Sequence, residues 1–234
     1  MSDFWAKQRV LVVAPHPDDE AYGCAGTMAK VKAAGGEVYV IVVSVGDLQH
    51  YKSEAAAVAA ETRVAELQAS MELLKVDGYE VLFRDAKTHL RLDAIPRRDL
   101  IALFERDAQY AIDKVRPTAL ILPHPSYNQD HEAVFKAGFA ACRPHLRNDK
   151  PFINMVLACD AAQLGWGDGF RPDLYVDISE YLPVKLDALA CHQSQLRQLP
   201  DPGSIKNVEY LARFRGANIA VDAAEAFECH RVVL

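Results

Sequence analysis

Nowhere in its 234 residues does the chain hold an apolar run of the ~20 residues a membrane helix needs; the longest, such as Val10–Ala14 and Val38–Val45, are strand-sized. No membrane span is expected. Cysteine is sparse and without pattern. Cys24, Cys142, Cys159, Cys191 and Cys229 are odd in number and form no CxxC pair, which argues against a disulfide framework and a thiolate zinc site. Nothing beside Cys24 marks an activated thiolate. Basic residues never gather into a block: 26 Lys and Arg against 32 Asp and Glu leave a net charge of −6. The one local cluster, Arg91–Arg98, is interrupted by Asp93 and Pro96, so no nucleic-acid partner is expected. A GxGxxG phosphate cradle is missing after the first strand, and there is no internal repeat. The opening Met1-Ser2-Asp3-Phe4-Trp5 carries an acid where a secretory leader would carry basic residues, which makes the cytoplasm the default expectation.

What is present is an ordinary globular composition, half apolar and one quarter charged, in a length that suits one domain. Val10–Ala14 is continuous and β-branched, as a strand buried on both faces of a parallel sheet reads. The loop Pro15–Glu20 follows, then a helix over Ala21–Ala34 that stops at Gly35-Gly36, then a strand over Glu37–Val45. The alternation continues with a helix over Ser53–Lys75, a strand at Glu80–Phe83 and a Pro96-initiated helix to about Lys114. A strand at Thr118–Pro123, a helix from about Asp130 to Arg143 and a strand at Phe152–Ala158 complete it. This rhythm predicts an α/β, Rossmann-like, doubly wound and mostly parallel sheet of order 3-2-1-4-5. Further on, Gly165-Trp166-Gly167-Asp168-Gly169 reads as a loop, Tyr175–Ile178 as an added edge strand, and Tyr181–Gln195 and Asn207–Arg215 as helices. Residues 1–234 are expected to form a single domain, with 160–234 as a C-terminal extension that shapes the site.

Ligands of open α/β sheets bind where strands end at their carboxyl side, so polar residues there come first. After the first strand stand Pro15-His16-Pro17-Asp18-Asp19-Glu20; after the fourth stands Pro123-His124-Pro125-Ser126-Tyr127-Asn128-Gln129-Asp130-His131-Glu132. A catalytic zinc needs three nitrogen or oxygen ligands and an open position, and a His with an Asp from one loop plus a His from the other would supply them. Neighbouring strands lie ~4.8 Å apart, so in the order 3-2-1-4-5 the two loops can meet. Helix capping accounts for Asp18 or Asp19 taken singly. It does not account for the cluster, because adjacent carboxylates repel unless a cation compensates.

The run Ala14-Pro15-His16-Pro17-Asp18-Asp19-Glu20, followed by Gly23-Cys24-Ala25-Gly26-Thr27, resembles the amino-terminal signature of the PIG-L/LmbE-like zinc de-N-acetylases. The resemblance extends to Arg63 and Glu66 in an AxxRxxE-like helix, to Asp130-His131, and to Lys185 with His192-Gln193-Ser194-Gln195. It implies a five- or six-coordinate Zn2+ held by His16, Asp19 and His131, with Fe2+ or Co2+ able to replace it at such ligands. It further implies that Asp18 is the general base for a water acidified by the metal, with Asp130 supporting a ligand. The reaction implied is hydrolysis of an N-acetyl group on a small-molecule amino sugar or glycoside.

One position departs from the family. Many members carry a histidine three residues before the distal ligand, where this chain has Asn128, whose amide can still donate to an oxyanion. Arg63 matches a position that contacts substrate in relatives, against the alternative of an ion pair with Glu61 or Glu66. Asp85, after the third strand, is a candidate for a sugar hydroxyl or a turn residue; His192 is a candidate for the site or for the core. His50, His89, His124, His145 and His230 read as surface or packing histidines, with His124 the one placed to orient the metal loop. A rival reading is a metal-dependent hydratase or lyase acting on an unsaturated carboxylated substrate, since a fold does not dictate a reaction. A non-catalytic binding protein fits poorly with an intact ligand set and base. Homo-oligomerisation is compatible with the sequence.

Overall fold

The computed structural model describes residues 2–49, 57–161 and 169–233. Its centre is a seven-stranded sheet of order β3-β2-β1-β4-β5-β7-β6, built from β1 (Arg9–Ala14), β2 (Glu37–Ser44), β3 (Gly78–Phe83), β4 (Ala119–Pro123), β5 (Met155–Cys159), β6 (Leu174–Asp177) and β7 (Ala224–Val232). The first five are parallel in the expected order 3-2-1-4-5, with Val12 of β1 paired to Val40 on one side and Ile121 on the other. β7 is antiparallel to both β5 and β6.

The two faces of β1 explain its unbroken apolar run. Val10, Val12 and Ala14 pack with α2 (Asp19–Ala33), α3 (Ala60–Leu74), α7 (Leu182–Cys191) and α8 (Ile205–Ala217) through Met28, Met71, Leu189 and Val208. Leu11 and Val13 pack on the other side with α4 (Arg97–Ala102), α5 (Ile112–Val115) and α6 (Gln129–Ala141) through Leu100, Ile112 and Val134. Period-two alternation thus feeds two cores, and a polar residue at any of these β1 positions would sit in one of them. A short α1 (Ser2–Ala6) precedes β1. Among the described residues no helix is long and apolar enough to cross a membrane.

The structure differs from the sequence expectations in four elements. The helix expected from Pro96 to Lys114 breaks: α4 passes into a π-helical turn at Leu103–Asp107, and Ala108 is extended at φ −59°, ψ 157°. Glu80 of β3 explains the break, accepting the N–H groups of Gln109 (3.1 Å) and Tyr110 (2.6 Å), which a continuous helix would have used internally. The helix expected over Tyr181–Gln195 ends at Cys191, and a 3-10 turn at Gln193–Gln195 follows. α3 begins at Ala60, whose N–H donates to Asp47; the expected start at Ser53 lies outside the described residues, as do His50 and Gly165–Asp168. Finally β7 was not expected. It slots between β5 and the anticipated edge strand β6, carrying Ala224, Glu225, Ala226 and Glu228, residue types depleted in strands.

Candidate active site

The loop after β1 turns sharply because Asp18 adopts a left-handed backbone, φ 105°, at the start of α2. Its carbonyl accepts the N–H groups of Ala21 and Tyr22, both at 2.9 Å, and its N–H donates to Glu20 Oε2 at 3.0 Å. The turn brings Asp19 back toward the strand end, where Oδ2 accepts the His16 N–H at 3.0 Å. His131 arrives from the first turn of α6, which Asn128 caps by accepting the Asp130 N–H at 3.0 Å. His16 Nδ1 then lies 3.4 Å from Asp19 Oδ2, and His131 Nε2 lies 3.3 Å from Asp19 Oδ1. One ligand atom from each of His16, Asp19 and His131 falls within 4.8 Å of the others, and all three residues are buried.

Asp130 decides which nitrogen His16 offers. Its Oδ2 accepts His16 Nε2–H at 2.8 Å while Oδ1 accepts the Leu92 N–H at 2.8 Å, so Nδ1 is the nitrogen turned toward Asp19 and the one a metal can take once its proton leaves. Two imidazole nitrogens and a carboxylate oxygen, buried, with His16 oriented by Asp130 and Asp19 by the His16 N–H, fit a divalent metal of the zinc type. Burial works against charge on His16, but hydrogen bonds to Asp130 and Asp19 outweigh it and push its pKa up to about 9. Burial likewise opposes ionisation of Asp19, yet His131 and His16 hold it well below the usual carboxylate range. Asp18 is pushed up to about 7, first by burial and then by the Asp19 charge, with His192 and Arg63 acting against the rise. A bound cation displaces the His16 proton and favours both carboxylates in their ionised form.

The Gly23-Cys24-Ala25-Gly26-Thr27 segment has a physical reason that the sequence concealed. Cys24 sits at φ −151°, ψ 18°, so α2 is kinked one turn past Asp19. An ion pair fills the break. Lys185 Nζ donates to the carbonyls of Ala21 (3.2 Å) and Tyr22 (2.7 Å), and Glu225 accepts the N–H groups of Gly26 (2.9 Å) and Thr27 (2.7 Å). The two charges meet at 2.6 Å, both buried. Each sign matches the helix end it serves, ammonium on freed carbonyls and carboxylate on freed amides. A side chain at Gly26 would place its Cβ 2.7 Å from Ile178, and one at Gly23 would place it 2.5 Å from the Cys159 sulfur. Glu225 escaped the sequence reading because its partners are distant in the chain and its strand was unrecognised.

The remaining candidates separate. Arg63 is buried, its Nη1 donating to the Gly46 carbonyl (3.3 Å) and to His89 Nε2 (2.9 Å), while its Nε is buried without a hydrogen-bond partner. Glu61 and Glu66 are not its hydrogen-bond partners; Glu66 instead accepts the Ser194 N–H (2.7 Å) and Oγ–H (2.6 Å), which joins the AxxRxxE-like helix to the segment after His192. His192 is fully buried and its Nε2 bonds Glu20 Oε1 at 2.9 Å, the carboxylate whose other oxygen holds the Asp18 N–H. Asn128 commits Oδ1 to its cap and retains its amide N–H groups as donors. Asp85 is exposed and its Oδ1 accepts the N–H groups of Lys87 and Thr88, both at 3.0 Å, the turn arrangement rather than a place in the cluster.

Of the histidines read as surface or packing residues, His89 takes the packing alternative, at a place the sequence reading did not indicate. It is buried edge-on against His16, with ring centroids 5.2 Å apart, because β3 ends beside β2 and its following loop folds over the strand ends. Its position after a strand was the signal available. His124 pairs with Glu228 (3.2 Å), His230 packs against the stacked rings of Phe135 and Phe139, and His145 is exposed.

The sequence pattern of the PIG-L family, described as GlcNAc-PI de-N-acetylase, matches residues 11–142, more than half of the chain. The chain belongs to the PIG-L family. A probable N-acetyl-alpha-D-glucosaminyl L-malate deacetylase 2 of Bacillus subtilis is 29% identical over 217 residues, covering 87% of this chain and 91% of that one. In three dimensions the N,N'-diacetylchitobiose deacetylase of Pyrococcus horikoshii superposes with a TM-score of 0.71 at 22% identity, over 95% of this chain and 83% of that one. GalB, a 4-carboxy-2-hydroxymuconate hydratase of Pseudomonas putida, superposes with a TM-score of 0.68 at 18% identity, over 97% and 98%. These two likenesses speak to the fold. Within the PIG-L match lie His16, Asp18, Asp19, Arg63, Asp130 and His131.

Proposed function

We propose that this chain removes an N-acetyl group from an amino sugar or glycoside by metal-dependent hydrolysis, with Zn2+ as the metal and Fe2+ or Co2+ able to take its place. The convergence of His16, Asp19 and His131, with Asp18 alongside, carries the reading. His16, Asp19 and His131 hold the metal, and Asp130 keeps His16 in the tautomer that can bind it. When bound, the metal supplies a Lewis acid that polarises the amide carbonyl and lowers the pKa of a water beside it. Asp18 takes a proton from the attacking water and returns one to the departing amine; burial and the Asp19 charge make it a stronger proton acceptor than an ordinary carboxylate, which suits it to both steps. The Asn128 amide donates to the oxygen that gains charge, and Arg63 holds the sugar. Residues 1–234 act as one domain, 160–234 completing the sheet beyond β5 and supplying Lys185, His192 and Glu225 behind the Asp18 turn.

Names of curated relatives favour the hydrolase over the hydratase reading, since the Bacillus subtilis protein is named a deacetylase and GalB shares the fold at 18% identity. Acetate release separates the two. The zinc-loaded protein is incubated with N-acetylglucosamine, N,N'-diacetylchitobiose and N-acetylglucosaminyl malate, with an unsaturated dicarboxylate in parallel, and metal content is read on the same sample. Acetate from one or more sugars, lost with the metal in His131→Ala, supports the reading; hydration of the dicarboxylate without acetate release overturns it.

A further inference from the structure

Ser44 at the end of β2, Gly46 just beyond it, His89 after β3 and Arg63 on α3 form one buried assembly beside the metal ligands. Arg63 has no acceptor of its own, so its Nη1–H donates to His89 Nε2 at 2.9 Å, which requires that Nε2 carry no proton. The ring proton therefore sits on Nδ1, where Ser44 Oγ stands 3.2 Å away to accept it. The same Nη1 donates to the Gly46 carbonyl at 3.3 Å. Gly46 is needed for this fit, since a Cβ there would lie 2.7 Å from His89 Cβ and 2.9 Å from its Cγ and Cδ2. Both nitrogens of His89 are thus spent on protein groups, and neither is available to substrate. Arg63 keeps its Nε–Nη2 edge, the fork that suits two oxygens at once, and its Nε is buried without a partner.

We propose that His89 is a positioning residue: as a neutral imidazole locked in the Nδ1–H tautomer by Ser44, it clamps one arm of the Arg63 guanidinium so that the Nε–Nη2 edge faces the bound sugar. The inference rests on the reading of Arg63 as a substrate contact. Arginine is a flexible side chain with several donors, and fixing one arm reduces the ordering that substrate binding must otherwise impose. His89 acts through Arg63 and not on the reacting bond, so its loss falls on binding more than on turnover.

Three substitutions distinguish this from simple packing against His16. His89→Phe keeps the ring and removes the acceptor, His89→Gln restores an acceptor near the Nε2 position, and His89→Asn keeps a polar group near Nδ1 only. With the substrate turned over best in the panel above, His89→Phe and His89→Asn are expected to raise KM about tenfold or more with kcat within about threefold, while His89→Gln recovers much of the loss. Metal content stays at the wild-type level in all three. Arg63→Ala is expected to raise KM as well, and His89→Phe added to it to cost nothing further, because one interaction cannot be lost twice.

The 15N spectrum of the zinc-loaded protein reads the contact without any substrate: His89 is expected as the Nδ1–H tautomer, and Arg63→Ala to change its Nε2 shift. An Nε2–H tautomer, an unchanged KM in His89→Phe, or additive losses in the double variant overturns the proposal. If Arg63→Ala leaves KM unchanged, the substrate-contact reading of Arg63 has failed, and the proposal built on it fails too, whereas the 15N result still reports whether the clamp exists. Loss of metal in His89→Phe would make the residue a support for His16 and would also overturn it.

Discussion

Asp130→Asn tests the proposed metal centre through a residue outside the proposed ligand set. Asp130 is fully buried and both of its oxygens are committed, Oδ2 to His16 Nε2–H and Oδ1 to the Leu92 N–H, each at 2.8 Å. Asparagine keeps the shape but replaces one acceptor by a donor, so whichever way the amide lies, one N–H faces another. With the NH2 toward Leu92, a buried backbone donor loses its partner, at about 1–3 kcal/mol. With the NH2 toward His16, the ring must move its proton to Nδ1, the nitrogen that faces Asp19 at 3.4 Å, and a protonated nitrogen cannot bind metal. Loss of such a partner typically weakens metal binding about 10–100-fold. We therefore expect the zinc Kd, measured by competition with a chelator, to rise about 10–100-fold, and the chelated protein to lose about 1–3 kcal/mol in denaturant unfolding if the Leu92 arrangement prevails. Unchanged zinc affinity together with unchanged stability would refute the assignment of Nδ1 as the ligand atom.

The neighbouring acids should behave differently: Asp18→Asn is expected to keep zinc and lose about 10²–10⁴ in kcat, while Asp19→Asn loses zinc, and the reverse pattern would exchange their roles. In the metal-free protein His16 is raised from its usual 6.5 to about 9, so the stability it contributes is full below about pH 6.5 and disappears as pH climbs through 9. Unfolding of chelated protein across that range should show the fall, and zinc affinity should strengthen over the same interval as the competing proton leaves; a flat profile in both contradicts the pairing. Lys185→Met or Glu225→Gln alone leaves an unpaired buried charge or an unfilled helix break, with an expected loss of about 3–5 kcal/mol by denaturant unfolding. Combining them should cost less than the sum, and strict additivity would show that the two do not act as a pair.

Much of the fold was written in local pattern. A β-branched run buried on both faces, glycine stops and helical spacing were enough for β1 to β5 in the order 3-2-1-4-5, because buried parallel strands differ from amphipathic helices in period and composition. The polar loops after β1 and β4 were equally legible, since strand ends of such sheets are where ligands bind, and those strands are neighbours in the sheet. What the sequence could not show depended on groups that meet only after folding. β7 is paired on both sides, with β5 and with β6, partners distant in the chain that the alanines and glutamates of Ala224–Val232 do not announce locally. The kink at Cys24 exists because Lys185 and Glu225 arrive from other elements to bind the backbone groups it frees. His89 read as one of several unremarkable histidines until the β2 and β3 ends brought it between His16 and Arg63. Local sequence thus determined β1 to β5, the approximate places of the helices between them and which loops carry charge, because propensity and periodicity act over a few residues. Tertiary structure alone decided which distant side chains complete the hydrogen bonds of buried polar groups, because that demand arises only once water has been excluded.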